Sequence, residues 1–174
     1  MQFPEARADG YRRGVHILLA TDADWIVDEV TAALGGPETS FSVCRDGRAV
    51  AGVVGDREPD LVITDLQVGS MGGMAISLAL RNDESVGALR RTPILMLLDR
   101  QADVYLAQRS HADAWLIKPL DALRLKRGTE AAIAGTGLFE GVPIAPVVES
   151  EASQVEADEA ETENSPEEEP ANAG

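Results

Sequence analysis

The chain has 174 residues, of which 44% are hydrophobic and 4% aromatic, and its net charge is −15. Residues 1–127 hold 18 acidic and all 15 basic residues, whereas residues 128–174 hold 12 acidic residues and no basic one. Such an acidic segment repels nucleic acid and anionic lipid, and no apolar stretch is long enough to cross a bilayer, so neither DNA nor a membrane is an expected partner.

The only cysteine, Cys44, excludes an internal disulfide and favours a reducing compartment. We interpret it as a small buried hydrophobic residue rather than a reactive thiol. The N-terminus has no apolar signal-peptide core, so a cytoplasmic location is expected. The length suits one globular domain with additional segments.

Short apolar runs and helical patterns alternate along the chain. Four of the runs are bounded by turn residues, as is typical of strands buried on both faces of a parallel sheet, and they predict strands at residues 15–20, 61–65, 93–98 and 114–117. Another strand is predicted at residues 41–45. Helical patterns follow each of them, at about 22–34, 46–55, 73–82, 102–110 and 121–134. Five strands that alternate with five helices predict an α/β fold with a five-stranded parallel sheet.

Charged side chains follow these runs at their carboxyl ends. Asp22 and Asp24 follow the first run, where either can cap the next helix, and Asp65 ends the third. Asp99 follows the fourth run, and Lys118 follows the fifth. A lone aspartate at such a position most often caps a turn. Because ligands bind at the carboxyl edge of open α/β sheets, acids and a lysine at several strand ends indicate a common site.

The composition changes after about residue 134. The predicted organisation is an N-terminal extension (1–14), a domain (15–134), a Pro/Gly-rich apolar segment (135–148) and a disordered acidic tail (149–174). We expect the apolar segment to dock on the domain rather than to serve as a partner motif. The tail carries ten acidic residues and almost nothing apolar, so it cannot bury enough surface to become ordered.

The order and spacing of the charged residues resemble the receiver domain of two-component response regulators, which has a flavodoxin-like doubly wound fold. In that family, an Asp after the third strand accepts a phosphoryl group, and a Lys-Pro pair after the fifth completes the site. The resemblance implies that Asp65 is the phosphoacceptor and Lys118 its partner. It implies a Mg²⁺ site formed by Asp22, Asp65 and the backbone carbonyl of Gln67, with Asp24 as a further candidate ligand.

The chain departs from the family pattern at several positions. Thr21 replaces the first of two adjacent acids, so we expect Mg²⁺ to bind weakly. Leu98 replaces the hydroxyl residue that contacts the phosphoryl group, and Trp115 stands at the position of the switching aromatic residue. Val68-Gly69 replaces the usual Met-Pro, which predicts a looser loop. These departures do not affect the fold, but they predict that phosphorylation changes the conformation little.

The resemblance implies a single-domain signalling protein rather than an enzyme. A histidine kinase or a phosphotransfer protein would phosphorylate it, and its output would be contact with another, unidentified protein. The expected contact face lies near the fourth helix, the fifth strand and the fifth helix. No DNA-binding output domain fits into the acidic remainder of the sequence, and we expect a monomer or a weak dimer.

The alternative is a small Mg²⁺-dependent α/β phosphatase that uses Asp65 as nucleophile and Lys118 as phosphate clamp. Haloacid-dehalogenase-like phosphatases place a second Asp two residues after the nucleophile, where it transfers a proton. Gln67 occupies that position here and cannot transfer a proton, so the receiver interpretation is favoured.

Overall fold

The computed structural model describes residues 14–142, and these contain all five predicted strands. The strands are β1 (Val15–Ala20), β2 (Thr39–Cys44), β3 (Leu61–Asp65), β4 (Ile94–Leu98) and β5 (Ala114–Ile117). The helices are α1 (Asp24–Leu34), α2 (Val50–Arg57), α3 (Gly73–Ser85), α4 (Val104–Arg109) and α5 (Ala122–Ala134), with 3₁₀ turns at Gly47–Ala49 and Gln101–Asp103. All neighbouring strands are parallel, in the order β2-β1-β3-β4-β5, which confirms the flavodoxin-like doubly wound fold.

Helices pack on both faces of the sheet. On one face, α1 and α5 cover sheet residues such as Leu19, Ile63 and Leu97, while α2, α3 and α4 cover the other. The strands β3 and β4 are buried along their whole length, as the apolar residues 61–63 and 94–98 predict. Burial of each large aliphatic side chain contributes roughly 1.5–3 kcal/mol, so these two strands stabilise the part of the sheet whose carboxyl edge bears the candidate site.

The start of α1 differs from the prediction. The N-cap is Ala23, and neither Asp22 nor Asp24 caps the helix. The Thr21 hydroxyl accepts a hydrogen bond from the Ala23 N–H at 3.2 Å, so a threonine stabilises this turn. Both aspartates instead contact residues of other loops, as described below.

Two helices end later than predicted. The helix α2 continues through Gly55 to Arg57, because Val54 is buried against the sheet and a glycine in a helix costs only about 1 kcal/mol. It ends where Glu58 adopts a left-handed φ of 45°. The helix α3 continues to Ser85, three residues beyond its predicted end.

Cys44 is buried, as predicted, and its thiol donates a hydrogen bond to the carbonyl of Asp46. Apart from Gly14, the predicted N-terminal extension lies outside the described residues, as do residues 143–148 and the predicted acidic tail. Within residues 14–142, none of the helices has the length and apolar character needed to span a bilayer.

Candidate functional site

Asp65 and Lys118 form an ion pair at the carboxyl edge of the sheet. Asp65 is the last residue of β3, and its side chain is 4% exposed. Lys118 directly follows β5, and its ammonium donates a hydrogen bond to Asp65 Oδ1 at 2.7 Å. Because β4 lies between β3 and β5, the lysine side chain spans the end of β4 to reach the carboxylate.

Lys118 also binds a second carboxylate. Its Nζ donates to Oδ1 of Asp99, the residue that follows β4, at 2.8 Å. One ammonium group therefore contacts two carboxylates at the strand ends. Asp99 was predicted at this edge but not as a partner of Lys118, although the convergence of parallel strand ends could have suggested the contact.

The surroundings shift the pKa values of the ion pair. Burial raises the pKa of the Asp65 carboxyl, and the hydrogen bond and charge of Lys118 offset this only in part. Burial acts to lower the pKa of Lys118, but its hydrogen bonds to Asp65 and Asp99 outweigh burial, so that pKa is raised. Lys118 therefore remains a cation at neutral pH, and Asp65 is a more basic carboxylate than an exposed aspartate.

Asp22 connects two loops of the site. Its Oδ2 accepts a hydrogen bond from the backbone N–H of Gly69 at 3.1 Å, and a Cβ at position 69 would lie 3.0 Å from the same oxygen. The Gly69 carbonyl accepts hydrogen bonds from the N–H groups of Gly47 and Met71. The loop after β3 is therefore held at Gly69, where the sequence had predicted a looser loop.

The other candidate Mg²⁺ ligands differ in their surroundings. Asp24 is largely exposed and forms an ion pair with Arg45 at 2.6 Å. The Gln67 N–H donates to Asp65 Oδ1 at 3.3 Å, which places this peptide beside the carboxylate. Within residues 14–142, no group of three or more His, Cys, Asp and Glu side chains could hold a metal ion. The available donors are carboxylate and carbonyl oxygens, which are of the kind that Mg²⁺ prefers.

The two predicted switch positions are packed in the interior. Leu98 is fully buried in a cluster that contains Met96 and Trp115. Trp115 is 5% exposed, and its ring centroid lies 4.5 Å from that of Phe139. Its indole N–H donates to the carbonyl of Glu140 at 2.9 Å. The tryptophan is therefore held by residues that follow α5 in the chain.

Those residues form an edge segment, residues 137–141, which lies along β5. The N–H of Trp115 donates to the carbonyl of Leu138 at 2.9 Å, and Phe139 pairs with Trp115 as an isolated parallel bridge. The Gln101 side chain donates to the carbonyl of Gly141. The described part of the Pro/Gly-rich segment thus packs on the domain, and it satisfies backbone groups on the open edge of β5.

No protein-family model matches the chain. Over 105 residues the chain is 32% identical to the DNA-binding response regulator MtrA of Mycobacterium tuberculosis, and the alignment covers 59% of this chain and 43% of MtrA. It resembles the solved structure of the chemotaxis response regulator CheY4 of Vibrio cholerae, with a TM-score of 0.60, 22% identity, and coverage of 68% of this chain and 98% of the other.

A second solved structure bears on the metal. It is the receiver domain of the sensor histidine kinase PA1611 of Pseudomonas aeruginosa with a magnesium ion coordinated in its active site cleft. The chain matches it with a TM-score of 0.58 and 21% identity, over 70% of this chain and 98% of the other.

The fold, the arrangement at its carboxyl edge and these similarities define a receiver domain of the kind found in two-component response regulators. This relationship supports a role in signalling. The chain spans less than half the length of MtrA, so DNA binding, which is named for MtrA, is not assigned to this chain.

Proposed function

We propose that this receiver domain accepts a phosphoryl group on Asp65 from a histidine kinase or a phosphotransfer protein. The observation that carries the proposal is the buried Asp65 carboxylate, hydrogen-bonded by Lys118 at 2.7 Å at the carboxyl edge of the sheet. Asp22, from the end of a neighbouring strand, supplies a second carboxylate at this edge.

The chemistry is a transfer to a carboxylate. An Asp65 oxygen attacks the phosphorus of the donor, the bond from phosphorus to the donor breaks, and an acyl phosphate forms. Lys118 holds the carboxylate beforehand and stabilises negative charge on the transferred group afterwards. Asp22, Asp65 and the carbonyl of Gln67 would hold Mg²⁺. When bound, the ion neutralises the repulsion between the carboxylate and the phosphoryl oxygens.

We further propose that the output is contact with another protein at the face formed by α4, the edge segment and α5. Several large apolar side chains on these elements are exposed, namely Tyr105 at 61%, Leu123 at 57% and Phe139 at 47%. Aromatic side chains of this kind are enriched in protein interfaces, and they support this location.

Incubation with acetyl phosphate and Mg²⁺, followed by intact-mass measurement, tests the phosphoacceptor. The full chain should gain one phosphoryl group, and Asp65→Asn should gain none. A generic phosphomonoester, assayed in parallel, should not be turned over. Sustained phosphate release that requires Asp65 would support the phosphatase alternative instead.

Mg²⁺ should bind weakly, with saturation only at millimolar concentrations or above, because Thr21 supplies no charge where a second acid would otherwise lie. Trp25 can report binding, since the Lys118 ammonium lies 5.4 Å from the centroid of its ring. Fluorescence titration of a Trp115→Phe variant, in which Trp25 is the remaining tryptophan, should show this weak response. Adding Asp65→Asn should abolish it, and tight binding that survives this change would exclude the site.

Phosphorylation should leave Trp115 in place. Leu98 has no hydroxyl that the phosphoryl group could attract, and Trp115 is held by the ring of Phe139 and the carbonyl of Glu140. A ligand shifts a conformational equilibrium only by its differential affinity for the two states. In a Trp25→Phe background, beryllofluoride with Mg²⁺ should therefore not change Trp115 fluorescence. A clear change before Leu98→Thr is introduced would contradict this prediction, and a change that appears only with Leu98→Thr would support it.

A further inference from the structure

Arg124 on α5 binds the backbone on both sides of Lys118. Its guanidinium donates to the carbonyl of Ile117 at 2.6 Å and to the carbonyl of Pro119 at 2.6 Å. The same guanidinium donates through Nε to Glu140 Oε1 at 2.7 Å and forms an ion pair with Glu140 Oε2. This bidentate pairing is among the stronger geometries that arginine and carboxylate adopt.

Glu140 completes the arrangement from the edge segment. Its Oε2 accepts a hydrogen bond from the N–H of Ile117 at 2.7 Å, while its backbone N–H and carbonyl contact Trp115. The Glu140 side chain is 22% exposed, so water only partly competes for it. Arg124 and Glu140 together therefore bind the backbone on either side of Lys118.

We propose that Glu140 and Arg124 form a clamp that positions Lys118 between Asp65 and Asp99. The clamp fixes the backbone from which the lysine side chain extends, and so determines where the ammonium can lie. Both clamp residues act through Lys118 and contact no reacting atom, so they are positioning residues. Displacement of the edge segment from β5 would release Glu140 and loosen the lysine.

The chain offers an internal reference for a test, since its only lysines are Lys118 and Lys126. Lys126 is exposed on α5. Trace acetylation of the full-length protein with acetic anhydride, followed by peptide mass spectrometry, gives the ratio of the two reactivities within one molecule. In the unaltered protein, Lys118 should react much more slowly, because it is 11% exposed and its ammonium is held by two carboxylates.

Glu140→Ala should raise the ratio of Lys118 to Lys126 labelling by about fivefold, the change expected from loss of one hydrogen bond of typical strength. Glu140→Gln retains an acceptor for the Ile117 N–H and should restore part of the protection. The matched control is Glu130→Ala at an exposed position of α5, which should leave the ratio unchanged. Partial restoration of the protection by Glu140→Gln would distinguish the clamp from a general loosening of the fold.

An unchanged ratio of Lys118 to Lys126 labelling in folded Glu140→Ala would overturn the proposed clamp. If that variant does not fold, Glu140→Gln is decisive, because it removes the ion pair with Arg124, and full protection of Lys118 in it would overturn the proposed clamp. The inference rests on the proposed function for its biological consequence. Labelling nevertheless measures the reactivity of Lys118 without a phosphoryl donor. If the clamp proposal fails, the proposal that Asp65 is the phosphoacceptor still stands. If Asp65 is not phosphorylated, the labelling result still tests the clamp.

Discussion

Replacement of Lys118 by methionine should lower the free energy of unfolding by about 3 kcal/mol at neutral pH. Methionine keeps much of the aliphatic length, but it leaves the Asp65 carboxylate buried without its cation, with only 4% of that side chain exposed. Asp99 is 36% exposed and can be solvated instead, so the cost arises mainly at Asp65. Urea denaturation measures the change. Lys126→Met, at an exposed position of α5, is the matched control and should stay within about 0.5 kcal/mol.

The loss in Lys118→Met should diminish as the pH falls. Burial already raises the pKa of Asp65, and removal of the ammonium raises it further. The native variant then binds a proton at a pH where the unfolded chain does not, so protonation favours the native state. Stability should be regained as the pH falls through the native pKa of Asp65 towards the unfolded value of about 3.9. A loss that is independent of pH would contradict this explanation.

Gly73→Ala should lower the free energy of unfolding by about 1–3 kcal/mol, as overpacking of a close contact does. Gly73 begins α3, and an added Cβ would overlap the carbonyl oxygen of Asp65 and lie 3.1 Å from the Cα of Leu66. Backbone atoms cannot rotate away as a flexible side chain can, so the end of β3 must move. The variant should therefore also be phosphorylated more slowly by acetyl phosphate.

Gly52→Ala is the matched control for that substitution. Gly52 lies within α2, and no atom lies within 4 Å of a Cβ built there. Alanine should stabilise this helix by about 0.5–1 kcal/mol, because it restricts the unfolded chain and favours the helix. Chemical denaturation of the two variants should give changes of opposite sign. A stabilising Gly73→Ala would show that the contact with Asp65 does not constrain this residue.

The fold and the central ion pair could be predicted because both depend on local pattern and general topology. The apolar run of residues 61–63 has no polar interruption, and such a run is typical of a strand that is buried on both faces. Parallel strands bring their carboxyl ends to one edge, so Asp65 and Lys118 were expected at the same edge of the sheet, and the resemblance to receiver domains implied that they pair. That reasoning needed no knowledge of the loops.

The roles of Asp22 and Asp24 could not be predicted in the same way. Asp22 is bound by Gly69 and Asp24 by Arg45, and both partners lie on loops that are distant in sequence. Sequence patterns give the positions of these acids but not the directions in which the loop presents them.

The contact made by Glu140 could not be predicted either. It lies outside the strands and helices, and its contact with Arg124 depends on the path that the chain takes after α5. The composition of residues 135–148 indicated docking, but it did not indicate the surface on which the segment docks. The contact between Glu140 and Arg124 is therefore seen only in the structure.

Phosphorylation of Asp65 is tested most directly by borohydride reduction of the protein after treatment with acetyl phosphate and Mg²⁺. Borohydride reduces the acyl phosphate of an aspartate to the alcohol, so the modified residue becomes homoserine and is located by peptide mass spectrometry. Homoserine should appear at position 65 alone. Homoserine at Asp22 or Asp99, or phosphorylation that leaves Asp65 unmodified, would contradict the assignment of Asp65 as the phosphoacceptor.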